Sequence, residues 1–150
     1  MSEYNGIINK LRSLHADNFI VYFKVHQYHF AVQGKTFSQD HSLLNDIYDF
    51  LWEQHDVLGE QLRQLDSLPY PTMCTMLEES LVQEVKSLKV TSEAMFADVM
   101  SDLQTLIDGV QALYLVSDPC GGCQTVMGDY LKEVSKLHWK VKATLGKSIK

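Results

Sequence analysis

The sequence predicts an all-α fold: a four-helix bundle with one long crossover, between the second and third long helices, that holds a short extra helix. Three observations carry this. Strand-like alternation is nearly absent, while apolar residues return at helical spacing through most of the 150 residues. Breaking residues fall in a few clusters: Gly34, then Pro69 and Pro71, then Asp118-Pro119-Cys120-Gly121-Gly122. Two long helical segments, a link of about 25 residues and two more long segments match a bundle with a single crossover.

The first helix is predicted from about Tyr4 to Val32, with Ile7, Ile8, Leu11, Leu14, Phe19, Tyr22 and Phe23 inward and Gly34 at its end. Thr36, Ser38 and Asp40 are all suitable caps for the second helix, which continues to about Leu65. Pro69 and Pro71 open the crossover, where Thr75 to Leu81 can form a short helix. Thr91 or Ser92 caps the third long helix, which ends near Val116. The fourth is expected from about Gln124 to Leu145, closed by Gly146. Length and a composition 45% hydrophobic and 21% charged suit one domain over residues 1–150.

No apolar run approaches the length that crosses a bilayer, and the polar, amphipathic start does not read as a signal peptide. Three cysteines make no disulfide framework and fit a reducing compartment, so the cytoplasm is expected. Net charge is −6, and the strongest basic cluster, Lys136, Lys140, Lys142, Lys147 and Lys150, is spread along one helix and its end. That is a solvated face rather than the concentrated charge a nucleic-acid duplex needs. Acidity suits a container for cations better.

The second helix carries the informative pattern. With successive residues about 100° apart, His41, Asn45, Tyr48, Trp52, Asp56, Gly59 and Glu60 share one stripe. Acids, an imidazole and an amide are wrong for a core, and Trp52 is wrong for a solvated face. An interface with a polar site at each end accounts for both. His41 and Asp56 lie roughly 22 Å apart along the axis at ~1.5 Å per residue, so no single ion uses both within one chain. Two copies crossing antiparallel about a two-fold axis would bring the His41 end of one to the Asp56–Glu60 end of the other, making two identical sites. Gly59 would let the helices approach closely. His26 and His29, near the end of the first helix, complete the candidates. His29 and His41 with Asp56 and Glu60 of a mate form a mixed nitrogen and oxygen set suited to Fe(II) or Zn(II). Singly, each residue has an ordinary reading as a surface or core group; the joint placement carries the site.

At these residues the chain resembles the Dps family, the mini-ferritins of the ferritin-like superfamily. Lys24-Val25-His26-Gln27-Tyr28-His29-Phe30 with Gly34 looks like the end of that family's first helix. Phe37, His41, Asp46, Ile47, Tyr48, Glu53, Asp56 and Glu60 resemble its second, and His138-Trp139 to Leu145-Gly146-Lys147 its chain end. The resemblance implies a twelve-subunit shell built from two-fold dimers, with ferroxidase sites at the two-fold interfaces. Iron is oxidised there, commonly by hydrogen peroxide, and stored inside, protecting against oxidative damage. His29 and His41 of one subunit, with Asp56 and Glu60 of its neighbour, would be the catalytic ligands, Glu60 bridging two irons. Trp52 would be structural and a candidate electron donor. The rival intra-bundle site needs Glu-x-x-His pairs, which this chain lacks.

Two departures matter. Asn45 stands where the family usually has an aspartate ligand, and a neutral amide oxygen is the weaker ligand for a hard cation. Asp49, near the stripe, is a substitute. A competing reading follows: a shell with weak metal sites, acting as a structural or binding assembly. Secondly, Cys120 and Cys123 occupy a turn that often supplies acids to an iron-entry pore; here Asp118 and Asp129 are the nearby acids. The pair reads either as free thiols or, gathered by three-fold symmetry, as a soft-metal or redox-sensitive mouth. DNA binding is not expected, because the first dozen residues hold only Lys10 and Arg12.

Overall fold

A computed structural model describes residues 4–147 and 149. Its helices are α1 (Asn5–Ala31), α2 (Phe37–Gln64), α3 (Met73–Glu79), α4 (Ser92–Val116) and α5 (Gly121–Thr144), and no strand occurs among the described residues. α1 packs on α2 and α4 on α5; α1 also lies against α4, α2 against α5, and α3 covers α1. The bundle has the predicted single crossover, and the expected short helix lies within it. No described helix is long and apolar enough to cross a membrane.

Helical spacing decides what enters the core. Leu44, Ile47, Leu51, Leu58 and Leu62 of α2 are fully buried, as are Val99, Leu103, Leu106 and Val110 of α4 and Met127, Tyr130, Val134 and Val141 of α5. Burying a side chain of this size stabilises by about 1.5–3 kcal/mol. Two buried polar groups tie the helices together. Buried Asn18 donates to the Leu51 carbonyl and accepts from the Tyr130 hydroxyl, both at 2.8 Å, which joins α1, α2 and α5. Buried Lys24 reaches Asp98 at 3.2 Å and Asp102 at 2.8 Å, fastening α1 to α4.

Several local expectations need correction. Phe23 is 50% exposed, and lines an apolar groove with Phe19, Met73, Leu77 and Val85 instead of entering the core. α3 starts at Met73 because the Thr72 hydroxyl accepts the Thr75 amide at 3.1 Å. Thr36 sits at the start of α2, but its hydroxyl donates to Asp40 and caps no backbone amide. The chain leaves α1 through an extended Val32, and Gly34 takes the turn at φ 123°. Gly121 and Gly122, read as turn residues, already belong to α5. Thr91 caps α4 and Gly146 (φ 65°) follows α5, as expected. Lys150 of the basic cluster lies outside the described residues.

Candidate metal centre

Where α1 runs into α2, two histidines hold each other. His29 Nδ1 donates to the His41 carbonyl at 3.0 Å, and His41 Nδ1 donates to the His29 carbonyl at 2.9 Å. The rings stack 3.6 Å apart. A carbonyl oxygen only accepts, so each Nδ1 carries the hydrogen, and in the neutral tautomer that this requires the ring's lone pair lies on Nε2. Anchoring one imidazole nitrogen to a carbonyl is how metal-binding histidines are commonly oriented. Burial pushes the His29 pKa below the ordinary histidine value, against the bond to the His41 carbonyl, which raises it.

An aromatic layer fixes this pair. His26 stacks on Tyr48 at 4.0 Å and on Phe30 at 4.8 Å, and Tyr48 meets His29 edge-on. The Tyr22 hydroxyl is 3.1 Å from His26 Nδ1. His26, one of the two histidines considered at the end of α1, thus serves the wall beside the pair. Asn45 is committed on both sides: its Oδ1 accepts the Tyr48 hydroxyl at 2.8 Å, and its Nδ2 donates to Asp49 at 2.7 Å.

Trp52, Asp56 and Glu60 continue the stripe down α2 and are exposed, Trp52 by 58%. The carboxylates of Asp56 and Glu60 make no hydrogen bond or ion pair among the described residues. Within one chain the structure brings His29 and His41 together, places Asn45 one turn along α2 against Tyr48 and Asp49, and leaves Asp56 and Glu60 turns away. Among the described residues no three His, Cys, Asp or Glu side chains are gathered closely enough to hold a metal ion.

A second histidine pair escaped the sequence reading. His15 and His55 stack at 4.3 Å, and His15 Nε2 donates to the His55 carbonyl at 3.0 Å. Phe19 covers His55 at 5.1 Å and Trp52 lies parallel to it. His15 is 2% exposed, and the Nδ1 atoms of both rings are buried with no hydrogen-bond partner. Burial, then the neighbouring His55, lowers the His15 pKa to about 4. A signal was present: His15 precedes His29 by as many positions as His55 follows His41. Antiparallel helices in contact at one such pair therefore meet at the other. Gly59 belongs here too. A Cβ on it would lie 3.4 Å from His15 Nε2, at the edge of ordinary van der Waals contact, so Gly59 faces the hairpin's own histidine pair as well as the stripe.

Cys120 and Cys123 are joined as a disulfide with Cα atoms 5.3 Å apart, which corrects the reading of free thiols at a turn. Cys120 is the N-cap of α5, and its sulfur accepts the Cys123 amide at 3.4 Å, which is why the helix begins at Gly121. Gln61 of α2 donates to Cys123 Sγ at 3.3 Å. Asp118 is exposed just before the pair.

Comparison with known proteins agrees with this architecture. The family model for the ferritin-like domain matches residues 8–149. General stress protein 20U of Bacillus subtilis is 30% identical, over 85% of this chain and 88% of its own length. The DNA protection during starvation protein of Listeria monocytogenes is also 30% identical, over 83% of this chain and 82% of its own. The crystal structure of antigen TpF1 from Treponema pallidum superposes with a TM-score of 0.90 at 28% identity, covering 95% of this chain and 92% of that one.

The chain therefore belongs to the ferritin-like family, an iron-storage superfamily. Within it, the starvation-protein relatives and the Dps structures that share its fold make it a Dps-type mini-ferritin.

Proposed function

We propose that this protein oxidises Fe(II), with hydrogen peroxide as oxidant, at sites shared between two-fold related subunits, and stores the product inside a twelve-subunit shell. The observation that carries this is the His29–His41 pair, whose Nδ1 atoms are fixed by reciprocal backbone bonds, leaving two Nε2 atoms at the end of a hairpin that gathers no three metal-ligating side chains among the described residues. Asp56 and Glu60, exposed on the same face of α2, are the carboxylates a mate would contribute. Two Fe(II) ions give one electron each to a peroxide, which takes up two protons and leaves as two waters. Taking both electrons at a paired site avoids the one-electron route to hydroxyl radical. Imidazole and carboxylate are suitable donors for iron, and the same set accepts zinc. We assign the protein to the cytoplasm and expect weak DNA binding, since Arg12 is engaged with Ser67 and the Leu68 carbonyl and Lys140 lies near Asp46.

The decisive experiment mixes two defective chains. His29→Ala/His41→Ala and Asp56→Ala/Glu60→Ala chains are each expected to oxidise iron poorly alone. Reassembled in equal amounts, they should recover about a quarter of wild-type sites, because half the pairs are mixed and each mixed pair holds one intact site. No recovery in a mixed, correctly sized assembly would overturn the shared site.

Asn45 keeps the second reading, a shell with weak sites, in play. Its amide nitrogen faces Asp49 and its oxygen already accepts a hydrogen bond, which weakens it further as a ligand. The two readings separate on iron content and oxidation rate in the purified assembly.

A further inference from the structure

We propose that Cys120 and Cys123 form a redox-active dithiol site that reduces hydroperoxides and is returned to its dithiol form by an external dithiol. The site is separate from the iron site and does not depend on it.

A structural role for the bond is poorly supported by its position. Disulfides stabilise chiefly by closing long loops in the unfolded chain. This one joins residues three apart within a single turn, where little chain entropy is removed. Its surroundings are built asymmetrically around sulfur. Cys120 is half-buried at the mouth of α5, while Cys123 is 1% exposed. The amide of Cys123 points at Cys120 Sγ, and negative charge on sulfur is favoured at a helix N-terminus. From the other side, the buried amide of Gln61 donates to Cys123 Sγ. A Cβ placed on Gly121 or Gly122, the two residues between the cysteines, would meet nothing within 4 Å, and Cys120 itself is only part-buried. Cys74 offers a contrast: its thiol donates to Glu78 at 3.3 Å, and that carboxylate pushes the thiol pKa up.

The chemistry balances without a metal. The Cys120 thiolate attacks one peroxide oxygen; the O–O bond breaks, and the departing hydroxide (or alkoxide) takes a proton. The Cys123 thiol then attacks the Cys120 sulfenic acid, the S–S bond forms, and the S–OH oxygen leaves as water with the Cys123 proton. Two electrons pass from two thiols to one peroxide. For return, one thiolate of an external dithiol attacks Cys120 Sγ, Cys123 leaves as a thiol, and the reductant closes to its own disulfide.

The test uses the intact assembly, reduced with dithiothreitol, freed of reductant and held in chelator so that iron consumes no peroxide. After addition of hydrogen peroxide and an acid quench, maleimide labelling is expected to fall from three thiols per chain to one. The pair should be lost at least about tenfold faster than Cys74, and dithiothreitol should restore it. In Cys123→Ser, dimedone should trap sulfenic acid on Cys120; in Cys120→Ser none should form on Cys123. Loss of the pair at the Cys74 rate, sulfenic acid on Cys123 first, or zinc protecting the reduced pair from peroxide would each overturn the proposal. The wild-type labelling needs no variant to fold. Repeating it in Asp56→Ala/Glu60→Ala, with the thiol cycle expected unchanged, separates its failure from failure of the iron reading.

Discussion

The α1–α2 hairpin carries two stacked histidine pairs, and they have opposite characters. His29 and His41 each tie down Nδ1 on the partner's carbonyl, which leaves Nε2 of both rings for a ligand. His15 and His55 share one such bond, the Nδ1 atoms of both rings are buried with no hydrogen-bond partner, and Phe19 and Trp52 pack against the His55 ring. Two imidazoles in contact are therefore no site by themselves. On the proposed function, what would separate the pairs is the position of the uncommitted nitrogen relative to a carboxylate of a second copy. The lower pair is better understood as neutral packing that shapes the face on which Trp52 and Asp56 sit.

The largest effect should come from breaking the upper pair. His41→Ala is expected to slow Fe(II) oxidation by at least about 100-fold, beyond the 10–100-fold typical of losing an outer partner of a ligand. His15→Leu should leave the rate within about twofold, since it replaces a buried neutral ring with apolar bulk. Stopped-flow absorbance with peroxide distinguishes them; equal losses would erase the contrast between the pairs.

Acid should expose the lower pair. With its native pKa lowered to about 4, His15 stays neutral in the fold while the unfolded chain takes a proton below about 6.5. The unfolded state then binds more protons, so stability rises with pH across this window and is lost as pH falls from about 6.5 to 4. The loss amounts to at most ~3 kcal/mol per chain. His55, also lowered by burial but raised by Asp56, adds in the same direction. Urea unfolding at fixed chain concentration, near neutrality and at mildly acidic pH, should show a smaller drop in His15→Leu than in wild type. An identical drop would mean that His15 is protonated in the folded protein.

A smaller effect tunes the upper pair. Asn45→Asp restores a charged ligand and adds a repulsion with Asp49, its present hydrogen-bond partner. A rise of roughly threefold to tenfold in Fe(II) oxidation or bound iron is expected, because a hard cation prefers carboxylate to amide oxygen. No rise would remove Asn45 from the ligand set and leave Asp49 as the nearer acid.

What was legible in the sequence follows from the reach of each signal. Helix number, crossover and the buried start of α1 (Ile7, Ile8, Leu11 and Leu14) were readable because helical spacing and proline breaks are local. The facing of His29 and His41 was readable because a short link forces the hairpin. The His15–His55 pair needs the hairpin's register extended several turns, which no single-helix pattern supplies. Phe23 was misplaced because apolar character alone does not say which side of α1 faces α4; buried Lys24, paired to Asp98 and Asp102, takes that side. The start of α5 was misread because glycines mark a turn only until a side chain caps the next residues. Here the cap is a sulfur, outside the usual oxygen-bearing set.

Gly59 gives the finest discrimination between the two regions. On the sequence stripe it looked like a gap for a second chain; in the structure a Cβ there would face His15 inside the same hairpin. Gly59→Ala gains helix propensity of up to about 1 kcal/mol, with its Cβ 3.4 Å from His15 Nε2, at the edge of ordinary van der Waals contact. If the hairpin contact is what glycine serves, unfolding stability should move by less than about 1 kcal/mol and the assembly should keep its size and rate. If glycine serves the two-fold approach, the added methyl wedges two copies apart. Light scattering would then show smaller species, and Fe(II) oxidation would fall with them, because His41 of one copy would no longer reach the opposing Asp56 and Glu60.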